Sequence, residues 1–457
     1  MSETSYVHNS ENEVHDPAIL ENARAILDNA DSPAEIAEEV IAAVKRNEEW
    51  RGKRCINLLA PEAPTSPTVR MLLSSEIGTR AAEGHIGRLN RWFAGTQYID
   101  EVESLCVELL KRVFKCRYAD HRLMGGMIAN LAVYHALTQP GDTIMSAPQP
   151  VGGHSSNRLE GPAGLRGLKI VDIPFDPIGF EVDLDRFRAV AQQVKPKLVV
   201  MGMTMTLFPL PVREMSAIIA EWGGKFAFDG AHQLGLIAGG QFQDPLVEGA
   251  AVLFGSAGKT FSGPQSGILV WNDPQLTEPL TEAIFPVLVA THQVNRVAAL
   301  AVAAAEFLEY GQVYMRQIVL NSKALGKALH ERWVPVLGAD RGYSDTHQVI
   351  ANVEEFGGGM DVAYRLADAN IITNKNLVPG DNPEDWDRPS GLRLGTIEVT
   401  RLGMREDDMN VIADFMARVL VKGEAAQSVR KDVEDFRLPR QTIYYCFDNG
   451  LPPREVY

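Results

Sequence analysis

The stretch "FAFDGAHQLG" ends an apolar run on an acid, Asp229. A later stretch, "AVLFGSAGKTFSGPQSGILVW", sets one lysine, Lys259, in a loop of small residues between two apolar runs. Groups placed just beyond the strands of a parallel α/β sheet gather at its carboxyl edge, so both side chains can point into one crevice. An amine held there can form a Schiff base with an aldehyde, and a carboxylate against a pyridine nitrogen keeps the ring an electron sink. The pair suggests pyridoxal phosphate as cofactor. On spacing alone, a strand-end turn residue at Asp229 and a solvated loop cation at Lys259 remain open.

Positioning these groups requires a particular scaffold. Short apolar runs such as "LKIVDIPFD", "PKLVVMGMT" and "AAVLFGSA" alternate with helical stretches such as "YIDEVESLCVELLKRVF", "MIANLAVYHALTQPGD" and "VREMSAIIAEW". That alternation indicates an α/β fold with a mainly parallel sheet covered on both faces. Ahead of it, "SPAEIAEEVIAAVKRNEEW" has helical apolar spacing behind the start signal of Ser32 and Pro33, and the first dozen residues are polar and read as loose. The Ala/Val-rich "NRVAALAVAAAEFLEYG" suits a helix connecting two bodies, and beyond it the pattern becomes α+β. The expected division is an N-terminal arm and helix over 1–60, a large cofactor-binding domain over 61–315, and a small C-terminal domain with an extended tail over 316–457. An anion such as the cofactor's phosphate would sit at the N-terminus of the helix opening "GGMIANLAVYH", on the backbone N–H groups of Gly125, Gly126 and Met127.

The stretches "AAEGHIGR", "GTQYIDEVE", "ANLAVYHALTQPGDTIM", "GGHSS", "DGAHQLGLIAGG", "GKTFSGPQSG", "NKNLVPGD" and "SGLRLGT" follow one another in an order that resembles the serine hydroxymethyltransferases. These are PLP-dependent enzymes of the aspartate aminotransferase class. The resemblance covers nearly the whole chain and implies the type I PLP fold, with a seven-stranded sheet in the large domain. It makes Lys259 the Schiff-base lysine and Asp229 the partner of the pyridine nitrogen. His154 would stack on the ring, with His232 and Thr204 near its phenolic oxygen. Arg393 would bind the substrate carboxylate, a bidentate task suited to guanidinium geometry. Glu83 would act as acid or base near the scissile bond, and Asn376 matches a folate-contacting asparagine. The family completes each active site with a neighbouring subunit, which implies a homodimer or dimer of dimers.

Several family positions are altered in this chain. The expected tyrosine two residues before Glu83 is Ala81, and the tandem tyrosines are Trp92 and Phe93. Gly258 stands where a histidine precedes the lysine, and Gln265 replaces an arginine. The serines usual beside the phosphate glycine are absent, and Ser256 is a replacement hydroxyl. The glycine pair after "FP" is missing from "FPVLVATHQ", where Thr291 or His292 would stand in. Two leucines that wall the folate site align with Gln149 and Ser155. Polar side chains there point away from folate and toward an amino acid with a large polar side chain. Relatives on this scaffold in bacterial specialised metabolism, including lincosamide antibiotic pathways, process an S-conjugated cysteine by β-elimination or decarboxylation with deamination. Hydroxymethyl transfer or threonine-aldolase-type cleavage of Cα–Cβ is the alternative. A catalytically silent binding protein is the third reading, opposed by the retention of Lys259, Asp229, His154 and Arg393.

The wider composition agrees with a globular enzyme. The net charge of -15 is spread along the chain without a basic stripe, so nucleic acid is not an expected partner. The four cysteines, Cys55, Cys106, Cys116 and Cys446, form no C-x-x-C pair, so neither a metal cluster nor a disulfide framework is expected. No stretch approaches a membrane span or secretory signal, and the expected setting is cytoplasmic, with a small-molecule amino-acid substrate and no membrane partner.

Overall fold

A computed structural model describes residues 14–176, 180–382 and 385–452. The polar stretch at the very N-terminus, expected to be loose, lies outside the described residues, as does the end of the C-terminal tail. Contacts divide the chain into two compact units, one running up to Arg54 and one from Cys55 onward.

The first unit holds helices α1 (Pro17–Asn29) and α2 (Pro33–Asn47). Each begins with proline behind a capping side chain. Asp16 accepts from the Ala18 N–H at 2.9 Å, and Ser32 accepts from the Glu35 N–H at 3.3 Å. Proline is tolerated there because the first helical N–H has no intrahelical partner.

The second unit is built on a seven-stranded sheet. Its strands are β1 (Tyr118–Asp120), β2 (Thr143–Ser146), β3 (Lys169–Asp172), β4 (Leu198–Gly202), β5 (Lys225–Asp229), β6 (Val252–Ser256) and β7 (Gly267–Trp271). They lie in the order β1-β7-β6-β5-β4-β2-β3, and only β7 runs antiparallel to its neighbours. Alternate residues of the central strands feed two cores. Val199, Met201, Phe226, Phe228 and Leu253 pack on one face, and Leu198, Val200, Ala227, Val252 and Phe254 on the other. Burial on both faces explains why these strands read as continuous apolar runs.

Helix α3 (Gln97–Phe114) covers the first face and α4 (Gly126–Leu137) the second. The Ala/Val-rich segment belongs to α5 (Val294–His330), a 37-residue helix that passes through position 316. Its first half supplies Val297, Leu300 and Phe307 to the core under the large sheet. Its last turns supply Leu325 and Leu329 to a second core beneath a three-stranded antiparallel sheet. That sheet consists of β8 (Gln348–Asn352), β9 (Asn374–Asn376) and β10 (Gly391–Gly395), in the order β8-β10-β9. Helix α6 (Glu406–Leu420) packs Ile412 and Met416 into the same core.

Tyr314, buried midway along α5, ties the lysine loop to the second body. Its hydroxyl lies 3.3 Å from Ser262 Oγ and donates to the Ile397 carbonyl at 3.2 Å. Removing it loses both bonds inside a packed interior and leaves Ser262 Oγ without this partner. Tyr314→Phe is therefore expected to lower the unfolding free energy by about 1–2 kcal/mol. Denaturant titration checks this, and unchanged stability would show that the hydroxyl holds nothing.

Candidate active site

Three strand ends and one helix start converge on a cavity of about 190 Å³. Asp229 ends β5, Gly202 ends the adjacent β4 in register with it, and Ser256 ends β6 three residues before Lys259. Gly126 and Met127 open α4 beside Ser256, where a Cβ at Gly126 would lie 3.3 Å from the serine's Cβ. Lys259, Asp229, His154, His232, Ser256, Gly126 and Met127 all line the cavity, together with Asn130, Met203 and Ala231. Gly125 sits at the N-cap of α4, whose first-turn N–H groups have no partners within the helix.

Asp229 is held from behind by residues that the motifs did not single out. Its Oδ2 accepts from Asn130 Nδ2 at 3.0 Å, and its Oδ1 accepts from the Ala231 N–H at 3.2 Å. Asn130 also donates to Asn157 Oδ1 at 3.1 Å, which accepts from the Tyr134 hydroxyl at 2.5 Å. Asn157 Nδ2 in turn donates to the Gly202 carbonyl at 3.3 Å. A Cβ at Gly202 would fall 2.5 Å from Asn157 and 2.8 Å from the Asp229 carboxylate, so only glycine fits between them. The available signal was Asn130 and Tyr134, one turn apart on the otherwise apolar "ANLAVY". A buried polar side chain on such a helix needs a partner.

Around Asp229 the cationic groups are depressed. Burial pulls the Lys259 amine down to about 8; Asp229 opposes that and Arg393 reinforces it. Burial likewise lowers Arg393 to about 10. His154 is lowered by burial and by Lys259 and Arg393, against Asp229. Its Nδ1 accepts from the Ser156 N–H at 3.0 Å, which leaves the ring proton on Nε2. His232 is held well below the ordinary imidazole value, first by burial and then by Lys259 and Arg393.

Other predicted site residues take different places. Arg393, on β10, donates from Nη1 to the Thr204 carbonyl at 2.8 Å and from Nε to Asn374 Oδ1 at 3.3 Å. Thr204 directs its hydroxyl to the Gly152 carbonyl at 3.3 Å. Asn376 donates to its neighbouring Leu377 carbonyl at 2.6 Å. Glu83 and Thr291 are not among the residues lining the cavity and pair with each other at 2.6 Å on an exposed surface. Behind Thr291, His292 is buried, with Nε2 2.5 Å from Glu103 Oε1, and Arg91 donates to Glu103 Oε2 at 2.5 Å. Burial opposes ionisation of Glu103, but bonds to His121 and His292 outweigh it and hold the carboxyl well below the usual range. The loop carrying Thr291 is thereby fixed to α3.

The cavity fits pyridoxal phosphate. It offers a buried amine of low pKa for the aldehyde, a pinned carboxylate for the ring nitrogen, an imidazole beside it, and a helix start for the phosphate. Fold and site define a type I PLP-dependent enzyme acting on amino acids. A sequence profile of serine hydroxymethyltransferase matches residues 34–416, and the chain belongs to that family. It is 44% identical over 426 residues to a serine hydroxymethyltransferase from Pyrococcus horikoshii, covering 92% of this chain and 99% of the relative. The corresponding protein of Methanopyrus kandleri is 44% identical over 421 residues, covering 92% and 97%. In three dimensions the chain is similar to a crystal structure of L-threonine transaldolase from Pseudomonas fluorescens in its internal aldimine state. The TM-score is 0.84 at 25% identity, over 95% of this chain and 97% of that one. No helix among the described residues is long and apolar enough to cross a membrane.

The depressed Lys259 makes a pH prediction. Only the neutral amine attacks an aldehyde, so cofactor uptake by the cofactor-free protein depends on the deprotonated fraction. The uptake rate should rise nearly tenfold per pH unit below the amine's value and level off above about 8. Following the absorbance during reconstitution across pH 6 to 10 tests this, and a rise continuing past pH 10 would indicate an unperturbed lysine.

Proposed function

We propose that this chain is a folate-independent PLP enzyme acting on an amino acid with a large polar group at Cβ, such as an S-conjugated cysteine. The setting would be bacterial specialised metabolism of the kind that builds lincosamide antibiotics. The observation that carries this reading is the polar residue on each side of the "GGH" stretch that ends in His154. Gln149 Nε2 donates to Glu160 at 2.8 Å where the family resemblance places an apolar folate contact, and Ser155 adds a second polar position. The lysine loop departs from the family pattern as well. A Cβ at Gly258 would lie 2.7 Å from the Gln265 amide, so Gln265 occupies the side where the family's histidine would project.

Bound in this cavity, pyridoxal phosphate would withdraw electrons from the substrate's Cα. The chain's own groups would choose the bond. Arg393 would hold the substrate carboxylate, and that anchor fixes which Cα bond faces the electron sink. Asp229, braced by Asn130, would hold the pyridine nitrogen, and His154 would cover the ring. The Lys259 amine would take the Cα proton, the Cβ–S bond would break, and the sulfur would leave as a thiol. The remaining three-carbon enamine, 2-aminoacrylate, would leave the site and take up one water to give pyruvate and ammonia. Loss of carbon dioxide with deamination is the other choice open to such a substrate.

We infer that the working unit is at least a homodimer. Glu83 and Thr291 do not line their own chain's cavity, and a neighbouring copy would bring its own pair to it. A cytoplasmic location is part of the same reading.

A second reading is favoured by the relatives. Those at 44% identity are serine hydroxymethyltransferases, and the structural neighbour is a threonine transaldolase. Both names point to chemistry at the Cα–Cβ bond. The deciding experiment incubates the protein with serine, threonine, an S-glycosylated cysteine and a bulky β-hydroxy amino acid, with and without tetrahydrofolate, and identifies products by mass spectrometry. The proposal expects the S-conjugate to be consumed equally in both conditions. Folate-dependent interconversion of serine and glycine as the fastest reaction would replace it with the second reading.

A further inference from the structure

Gln348, on β8, is fully buried, meets His232 of the cavity lining and shares the Thr204 carbonyl with Arg393. Its side chain makes three hydrogen bonds whose chemistry fixes the orientation of the amide. The Thr206 N–H can only donate, so Gln348 presents Oε1 to it at 2.9 Å. The Thr204 carbonyl can only accept, so it receives Nε2 at 2.9 Å. The remaining amide hydrogen points to His232 Nδ1 at 3.2 Å, which must therefore be an acceptor.

A second buried side chain gives the same answer independently. His347 places Nε2 3.2 Å from the Ala60 carbonyl, so that nitrogen carries a proton, and the same Nε2 lies 3.3 Å from His232 Nδ1. The two imidazoles are stacked, with centroids 5.5 Å apart and planes inclined by 14°. His232 Nδ1 thus faces the Gln348 amide hydrogen and a protonated His347 nitrogen and meets no acceptor, so the proton of the neutral His232 ring resides on Nε2. The Thr204 carbonyl that Gln348 holds is also the acceptor for Arg393 Nη1 at 2.8 Å. One amide therefore touches both halves of the site, the histidine beside the cofactor and the anchor of the carboxylate-binding arginine.

We propose that Gln348 is a positioning residue, fixing His232 as a hydrogen-bond donor through Nε2 and holding the Thr204 carbonyl that orients Arg393. This rests on the cofactor placement described above and not on the identity of the substrate side chain. Its effect is twofold. His232 meets the cofactor with a donor and never with a lone pair, and Arg393 meets the carboxylate from a backbone anchor that does not drift.

Two variants test the proposal in the holoprotein. Gln348→Met keeps the volume and removes every hydrogen bond. Gln348→Glu keeps the shape and offers an acceptor to His232 Nδ1, which draws the ring proton away from Nε2. The first readout, with no substrate present, is the pH midpoint of the bound cofactor's visible absorption. The second is the dissociation constant of glycine, used as a plain carboxylate probe, from spectral titration. Both variants are expected to weaken glycine about tenfold. Gln348→Glu is expected to move the midpoint by about one pH unit, and further than Gln348→Met does. Midpoints and glycine affinities at wild-type values would overturn the proposal, including where thermal stability falls, since that pattern marks packing alone. Because neither readout involves the natural substrate or folate, a wrong choice between β-elimination and Cα–Cβ cleavage leaves this test intact.

Discussion

The structure depends on holding one carboxylate, Asp229, in a fixed orientation at the buried end of the central sheet. A charge in such a place is expensive unless its oxygens are bonded, so the surrounding fold is organised to bond them. Asn130 reaches it from α4, the Ala231 N–H closes over it from the following turn, and Asn157 and Tyr134 fix Asn130 in turn. Gly202 is the clearest sign of this constraint, since any side chain there would enter the network. The same burial that makes Asp229 demanding makes Lys259 reactive, because it strips water from the ammonium form.

Much of this arrangement was legible in the sequence. The apolar runs ending at Gly202, Asp229 and Ser256 are β4, β5 and β6, and their two-sided burial is the physical reason for their uninterrupted hydrophobicity. The Ser32–Pro33 start of α2 was equally readable, because capping is a local interaction. Less legible were residues whose work is done across long sequence separations. Gln348 belongs to a strand whose sequence reads simply as β, and its task appears only when β8 is laid against the segment carrying Thr204 and Thr206. Likewise, no local pattern tells that Glu83 pairs with Thr291 instead of facing its own chain's lysine. Helix α5 outran its Ala/Val-rich signal because its later turns are buried against a different core.

The family assignment and the altered residues concern different parts of the molecule. The residues that the family resemblance assigns to the cofactor and substrate are Lys259, Asp229, His154, His232 and Arg393. The positions at which this chain departs from the family pattern are others, among them Ala81, Gln149, Ser155, Gly258 and Gln265. A PLP site can exchange one reaction for another by such changes, because the electron sink serves several bonds and the periphery selects among them. The Gln265 amide lying against Gly258 is a paired example, with a side chain shorter than the family's arginine lying where the family's histidine would project.

The central claim is that Lys259 is the one lysine that meets the cofactor in this cavity. Reduction of the holoprotein with borohydride, followed by digestion and mass spectrometry of the peptides, measures this directly. The account predicts that the mass of the reduced cofactor is found on the peptide containing Lys259, with a Lys259→Ala variant left unlabelled. Labelling of a different lysine, or equal labelling of the variant, would contradict it.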